Sequence, residues 1–400
     1  MSPVLVAALL AVAPAAIHTS TEVDGLDLVV VTTGGGSCSA RLAVRAGADD
    51  DPTGKAGLAH LVEHVSLGGD EGAALLASAE SQVNAFTFAD GTIFTLDATA
   101  ASCAAELTRL LSVATTGKLR RAWVEHEQSV IQREQMYSRR TTSGFIDAGL
   151  FGDRMISILG SPATRENIKL DDVVRFYRTH YTPAKMALVV VGPLDVEKVR
   201  AALRAGFKLP PVLPGERTER QPSAVKFQGD HEIANAYAGV NVLSVPMPAG
   251  QVELCQNAAA LLELRVRRAL RLSGTTQVAG ECLVAGGQLV AATMAIGPES
   301  DRERVQKLVG EAWDKASAPT AEERKLLARR FSRAAEWLTA APEPAADLLA
   351  RAALWSQGEA LFSQVSGWLS PQLADAKGFA QLPGLLAKDR RVSMSGRQSQ

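Results

Sequence analysis

The residues best suited to carry out chemistry lie in one short segment that contains two histidines around a glutamate. His60, Glu63 and His64 form the pattern H-x-x-E-H, the inverted order of the zincin motif. In a helix, histidines at positions i and i+4 lie one turn apart, so both imidazoles can bind one tetrahedral metal ion. Glu63 lies one turn from His60, where its carboxylate can reach a water molecule beside the metal. The segment therefore predicts a metal-dependent hydrolytic site.

A catalytic zinc site needs a third protein ligand and a position left open for water. The helix predicted over residues 121–140 has two carboxylates, Glu127 and Glu134, on a stripe that is otherwise apolar. A carboxylate in such a stripe is costly unless it is paired or bound to a cation. We therefore predict Glu134 as the third metal ligand, and Glu127 as a carboxylate that orients a ligand histidine or the water. The predicted cofactor is one zinc ion per chain, because two imidazoles and one carboxylate suit zinc.

Two predicted elements must position these side chains. Residues 57–67 form an amphipathic helix, with an apolar face at spacings of three and four residues beside the face that carries the histidines. Strands at 82–88 and 92–98 form a hairpin around the pair Asp90-Gly91, which is a strong hairpin signal. The hairpin lies between the two helices in sequence.

The whole chain has 400 residues, 46% of them hydrophobic and 21% charged, which suits about two domains with ordinary cores. The net charge of −1 argues against nucleic acid as a partner, because nucleic-acid binding leaves a basic footprint. After the first twenty residues no apolar run is long enough to cross a membrane. The four cysteines are too few and too scattered for a disulfide framework. Cys38 and Cys103 could pair, although burial as small hydrophobic residues is the favoured interpretation.

The N-terminus indicates an exported protein. Residues 1–16 resemble a signal peptide with small residues at its end, although no positive charge precedes the apolar run; an apolar arm or a misplaced start codon is the alternative. Export would place the protein in the periplasm or outside the cell. Residues 17–208 are predicted to form the zinc-binding catalytic domain, 209–223 a proline-rich linker, and 224–400 a second domain that binds no metal.

The order of predicted elements indicates an α+β fold with two related domains, each a mixed β-sheet with helices packed on one face. The second half repeats the order of the first. Its predicted strands are at 236–245, 276–285, 288–296 and 391–395, and its predicted helices are at 251–271, 301–317, 321–339 and 343–356.

With these spacings the chain resembles the pitrilysin (insulinase) family of zinc metallopeptidases, which includes insulin-degrading enzyme and the mitochondrial processing peptidase. As in the family pattern, 69 residues separate His64 from Glu134, and Glu127 lies seven residues before Glu134. The resemblance covers about residues 18–210 well and the remainder only in outline. It also includes the family's N-A-x-T strand, Asn84-Ala85-Phe86-Thr87, and the later residues Gly160, Asn167, Ile168 and Phe176 to Tyr181.

The resemblance implies a zinc-dependent endopeptidase that hydrolyses extended peptides or small unfolded proteins. Asn84 and Ala85 would bind the substrate as an added strand, although a purely structural role for Asn84 stays open. In the family, the other half supplies an arginine and, seven residues later, a tyrosine that hold the substrate and its oxyanion. Arg271 matches the arginine by placement, but Val278 stands at the tyrosine position and no tyrosine follows Tyr237. A valine cannot donate a hydrogen bond.

We therefore expect a heterodimer in which a second, related chain supplies the arginine and tyrosine; a homodimer is less expected. Neither nucleic acid nor an integral membrane span after leader removal is part of this prediction. Two alternatives stay open: a non-catalytic scaffold of the same fold, and a subunit that binds extended peptides without cutting them. Both alternatives must account for an intact site. A scaffold would not need Glu63 as a base that takes a proton from water, so the presence of His60, Glu63, His64 and Glu134 argues against it.

Overall fold

The computed structural model describes residues 17–115, 119–137, 142–152, 158–207, 223–224, 229–233, 239–270, 277–315, 318–369 and 372–396. The predicted signal peptide and all but the last residue of the predicted linker lie outside these residues. The described part of the chain forms two mixed β-sheets with packed helices, so the predicted α+β class is confirmed. None of the described helices combines the length and the apolar character needed to cross a bilayer.

The first half builds a sheet with the strand order β1-β2-β6-β3-β5-β4, in which β2 and β6 are parallel and the other pairs antiparallel. Its strands are β1 (Ile17–Val23), β2 (Leu26–Thr32), β3 (Ser37–Val44), β4 (Ser81–Thr87), β5 (Thr92–Thr99) and β6 (Met186–Gly192). Its helices are α1 (Leu58–Leu67), α2 (Asp70–Leu76), α3 (Cys103–Thr115), α4 (Arg121–Tyr137), α5 (Thr142–Phe151), α6 (Pro162–Glu166), α7 (Leu170–His180) and α8 (Val196–Gly206). Strand β4 forms one edge of this sheet.

The second half builds a smaller sheet with the order β7-β11-β8-β10-β9, in which β7 and β11 are parallel. Its strands are β7 (Gly229–Ile233), β8 (Val240–Met247), β9 (Gln277–Ala285), β10 (Gln288–Ile296) and β11 (Val392–Gly396). Its helices are α9 (Val252–Ala269), α10 (Arg302–Asp314), α11 (Ala321–Ala340), α12 (Pro342–Ala353), α13 (Gly358–Leu369) and α14 (Ala376–Leu385). The sequence patterns missed the short or weakly periodic elements β1, β7, α2, α6, α13 and α14.

Each half contributes a helix to a hydrophobic cluster of the other half. The central strands β2 and β6 are apolar on both faces, as strands covered on both sides require. On one face Val30 and Val190 pack with helices of their own half, as predicted. On the other face Val29 and Val189 belong to the core of the second half, where α12 covers the sheet. In return, α5 of the first half packs on the second sheet, with Phe145 against its strands.

Buried charges reinforce this arrangement. Just after β3, Arg45 donates to the Asp27 carboxylate on β2 over 2.6 Å and to the backbone oxygen of Ala353, at the end of α12, over 2.8 Å. Asp90, in the turn between β4 and β5, pairs with Arg351 of α12 over 3.3 Å. One helix of the second half is therefore tied both to the central strands of the first sheet and to its edge hairpin.

All four cysteines are paired. Disulfides join Cys38 on β3 to Cys103 at the start of α3, and Cys255 on α9 to Cys282 on the edge strand β9. The favoured prediction that Cys38 and Cys103 are buried without pairing is wrong. Cys38 and Cys103 are 65 residues apart in sequence, and Cys255 and Cys282 are 27 apart. The fold brings their Cα atoms to 6.0 and 5.5 Å, within the range that a disulfide spans.

Candidate active site

The start of helix α1 is fixed by a side-chain cap from outside the helix. The Asp51 carboxylate accepts hydrogen bonds from the backbone N–H groups of Gly57, Leu58 and Ala59 over 2.7, 3.2 and 2.8 Å. These donors have no partner within the helix, so the carboxylate satisfies them. Gly57 has φ 96°, and a Cβ there would lie 3.1 Å from the backbone of Gly160. The turn that precedes the H-x-x-E-H pattern is thereby held in place.

The structure brings the three predicted metal ligands together. His60 Nε2 and His64 Nε2 lie 3.2 Å apart, and Glu134 Oε2 lies 3.6 Å from the first and 3.4 Å from the second. Zinc bonds of about 2.0–2.1 Å in a tetrahedral site place donor atoms about 3.3 Å apart, so these three donors fit a single zinc ion. Within the described part of the chain, they are the group of His, Cys, Asp or Glu side chains that could hold a metal ion, with all donor atoms within 4.8 Å.

Glu127 contacts one of these predicted ligands. Its Oε2 lies 3.0 Å from His64 Nδ1, and its side chain is buried. In its neutral form with the Nδ1–H donated to Glu127, which is the form that binds a metal ion, His64 presents the lone pair of Nε2 towards His60 and Glu134. Of the two roles predicted for Glu127, the geometry matches the orientation of a ligand histidine.

Electrostatics differ sharply between the two histidines. Burial, with repulsion from His64, lowers the pKa of His60 to about 3. Burial also disfavours the charged form of His64, but hydrogen bonds with Glu127 and Glu134 outweigh it and raise the pKa of His64 to about 10. The two carboxylates therefore favour positive charge on His64.

Glu63 is not one of the three predicted metal ligands, although it lies between two of them in sequence. Its side chain is buried, with 6% of the residue exposed, and its Oε2 accepts a hydrogen bond from Thr87 Oγ1 on β4 over 2.7 Å. Burial raises the pKa of the Glu63 carboxyl, against the opposing charge of His64 and the Thr87 hydrogen bond. A carboxylate with a raised pKa is suited to take a proton from water and to release it again.

The predicted substrate-binding residues Asn84 and Ala85 lie on β4, which is an edge strand as predicted. The Asn84 side chain is exposed, and its Oδ1 accepts the backbone N–H of Ala85 over 2.9 Å. Two large apolar side chains near this edge, Phe86 and Leu76, are 46% and 49% exposed. The edge thus offers both backbone hydrogen-bonding groups and apolar surface.

The predicted arginine of the second half, Arg271, lies outside the described residues. Val278, predicted to stand at the tyrosine position, is buried in the core of the second half. It offers no hydroxyl group to a substrate.

Two positioning groups escaped the sequence analysis. An irregular segment separates Asp51 from helix α1, so no periodic sequence pattern indicates that Asp51 caps this helix. Thr87 belongs to the N-A-x-T segment, yet nothing in its spacing indicates that it contacts Glu63. Only a predicted packing of β4 against α1 could have suggested that contact.

Two sequence profiles of one peptidase family match the chain. The profile described as insulinase (peptidase family M16) matches residues 29–142, which include all the predicted metal ligands. The profile described as peptidase M16 inactive domain matches residues 167–258, from the end of the first half into α9.

Known proteins are similar over different lengths. Coenzyme PQQ synthesis protein F of Pseudomonas aeruginosa is 29% identical over 203 residues, covering 44% of this chain and 25% of that protein. The periplasmic protease PqqL from Escherichia coli has a TM-score of 0.69 at 15% identity, covering 96% of this chain and 48% of that one. A peptidase M16 inactive domain from Pseudomonas fluorescens has a TM-score of 0.71 at 14% identity, covering 96% and 98%.

The chain thus matches a quarter of one longer protein and about half of another. The solved structures share its fold over nearly its whole length. With the two matching profiles and the H-x-x-E-H segment inside the first of them, the chain belongs to the insulinase family of peptidases, peptidase family M16.

Proposed function

We propose that this chain is a zinc-dependent endopeptidase that hydrolyses extended peptides or small unfolded proteins. The observation that carries the proposal is the triangle of His60, His64 and Glu134 donor atoms at zinc spacing, with the Glu63 carboxylate beside it. A bound zinc ion would acidify a water molecule and polarise the scissile carbonyl. Glu63 takes the proton from the attacking water and passes it to the leaving amine.

The edge strand β4 supports an extended substrate. A peptide that adds to a sheet edge satisfies unpaired backbone groups and needs no folded partner surface. The Asn84 side chain turns away from the Ala85 N–H when a substrate strand takes that donor. Phe86 and Leu76 then offer apolar contacts to substrate side chains.

The zinc proposal predicts one zinc ion per chain in the purified protein. His64→Ala should lose this zinc, because the two remaining donors bind zinc more weakly than three. The measurement is elemental analysis of the metal content after dialysis. His180→Ala is the matched control, since this histidine at the end of α7 packs against Phe176 and lies outside the donor triangle. A wild-type protein that binds no zinc even after reconstitution would contradict the mechanism and indicate a degenerate subunit.

We further propose that the active form is a heterodimer with a related chain that supplies the arginine and tyrosine. Two observations support this partner. Val278, which the predicted alignment sets at the tyrosine position, is buried, and no tyrosine follows Tyr237. Two such chains could enclose a peptide between them.

The heterodimer proposal predicts that the purified chain alone cleaves an extended fluorogenic peptide poorly. Addition of a related chain without the H-x-x-E-H segment but with the arginine–tyrosine pair is expected to raise the rate by about 10²-fold, since loss of one oxyanion donor costs this much or more. The control is the same mixture with Glu63→Gln in this chain. Strong activity from the chain alone, absent in Glu63→Gln, would contradict the need for a partner.

We propose a periplasmic or extracellular location. Two disulfides are expected in an oxidising compartment and are rare in the cytosol. The N-terminal residues 1–16 have the composition of a leader, and the structural relative PqqL is described as periplasmic.

A peptide-binding subunit without catalysis is the second candidate. The match of residues 167–258 to a profile described as an inactive domain favours it, and the β4 edge would serve it equally well. The buried, hydrogen-bonded Glu63 argues for catalysis, because a binding module has no use for a base. If Glu63→Gln replaced the wild-type protein in the cell without any loss of function, the second candidate would be favoured.

A further inference from the structure

A chain of hydroxyl groups runs from the predicted base into the core of the first half. Thr87 Oγ1 lies 2.7 Å from Glu63 Oε2 and 3.3 Å from Thr92 Oγ1. Thr92 faces Thr87 across the β4–β5 hairpin and donates to the backbone oxygen of Ala46 over 3.0 Å. Thr92 and Ala46 are both buried, so the far end of this chain is fixed.

The direction of these hydrogen bonds follows from proton count. A hydroxyl group carries one proton, and Thr92 gives its proton to the Ala46 oxygen, which can only accept. Thr92 can therefore only accept from Thr87, and an ionised Glu63 can also only accept. Thr87 has one proton for these two acceptors and donates it to Glu63, whose contact of 2.7 Å is shorter than the 3.3 Å to Thr92. The contact is charge-assisted when Glu63 is ionised, which is the stronger type of hydrogen bond.

We propose that Thr87 is a positioning residue for the general base Glu63, holding Oε2 so that Oε1 is the oxygen that receives and returns the proton. This inference rests on the proposed peptidase function and extends it to one atom of one side chain. A buried carboxylate without such an anchor could rotate, and both oxygens would spend time away from the water. The hydroxyl group fixes the carboxylate at little cost, because Thr87 is already held by the sheet.

The location of Thr87 links substrate binding to the base. Strand β4 has Asn84 and Ala85 on its free edge and ends at Thr87, whose side chain reaches α1. The strand that receives the substrate is therefore also the strand that positions Glu63. Alignment of the scissile bond and alignment of the base depend on one rigid element.

The test compares Thr87→Val, which keeps the shape and removes the hydroxyl, with Thr87→Ser, which keeps the hydroxyl. In the active form of the enzyme, Thr87→Val is expected to lower kcat by about 10- to 100-fold, as loss of a hydrogen bond to a charged group does. Zinc content and KM stay near wild type. Thr87→Ser is expected to retain kcat within about threefold, and Thr87→Val is expected to add no further loss to Glu63→Gln.

Three outcomes overturn the inference: a kcat of Thr87→Val near that of wild type, equal losses in the valine and serine variants, or additive losses with Glu63→Gln. A wild-type enzyme that holds zinc but cleaves nothing would instead contradict the proposed function. In that case crystal structures of the zinc-loaded variants still decide the positioning role. Wild type and Thr87→Ser should show one Glu63 carboxylate orientation with Oε2 on the hydroxyl, and Thr87→Val should not; an unchanged carboxylate in Thr87→Val overturns the inference.

Discussion

Replacement of Glu63 by glutamine is expected to lower kcat for peptide hydrolysis by at least about 10²- to 10⁴-fold, the range that general acid–base groups contribute. Glutamine has the size of glutamate, and its amide oxygen can still accept the Thr87 hydrogen bond. Since Glu63 is not one of the three donors at zinc spacing, the metal content should equal that of wild type. An amide cannot take the proton from water, so catalysis is lost while the site stays intact.

The experiment measures cleavage rates and zinc content on the same preparations. Glu125→Gln is the matched control, because it makes the same chemical change at an exposed position of α4, two residues before Glu127. It should cleave at the wild-type rate. Hydrolysis by Glu63→Gln at the wild-type rate would show that another group is the base, and loss of zinc would show that Glu63 belongs to the metal site.

The site was predictable from sequence where local geometry dictates it. His60 and His64 converge because a helix brings positions i and i+4 together, whatever the rest of the fold does. The proximity of Glu134 to the histidines depends on the packing of α4 against α1, which sequence spacing alone does not dictate. The structure brings its Oε2 within 3.6 Å of both histidines. The Asp90-Gly91 turn likewise carries its own information, since few sequences fit so tight a hairpin.

The parts that escaped prediction depend on contacts between distant segments. No periodicity reveals that α12 covers the first sheet or that α5 covers the second, because an apolar helix face does not specify its partner. The disulfides and the Thr87–Glu63 hydrogen bond are of the same kind, each joining segments that only the fold brings together. The predicted domain boundary at 208–209 stays a prediction. Helix α12 packs on the first sheet and α5 on the second, so each half covers part of the other's core.

Replacement of Arg45 by methionine is expected to lower the free energy of unfolding by about 3–5 kcal/mol, the cost of breaking a buried ion pair from one side. Asp27 is 0% exposed, and its Oδ2 accepts from Arg45 over 2.6 Å and from the backbone N–H of Gly358 over 3.2 Å. Without the guanidinium, the carboxylate keeps its burial and loses its compensating charge. The variant also leaves the Ala353 oxygen at the end of α12 without that donor.

Urea unfolding measures this loss, and Arg304→Met is the matched control. Arg304 makes a comparable contact of 2.8 Å with Asp301, but its side chain is 51% exposed, so the control should cost no more than about 1 kcal/mol. The double variant with Asp27→Asn is expected to recover part of the loss, because no buried charge then remains unpaired. Equal costs for Arg45→Met and Arg304→Met would contradict the prediction. A large cost would show that Arg45, which pairs with Asp27 on β2 and donates to the end of helix α12, contributes strongly to the stability of the fold.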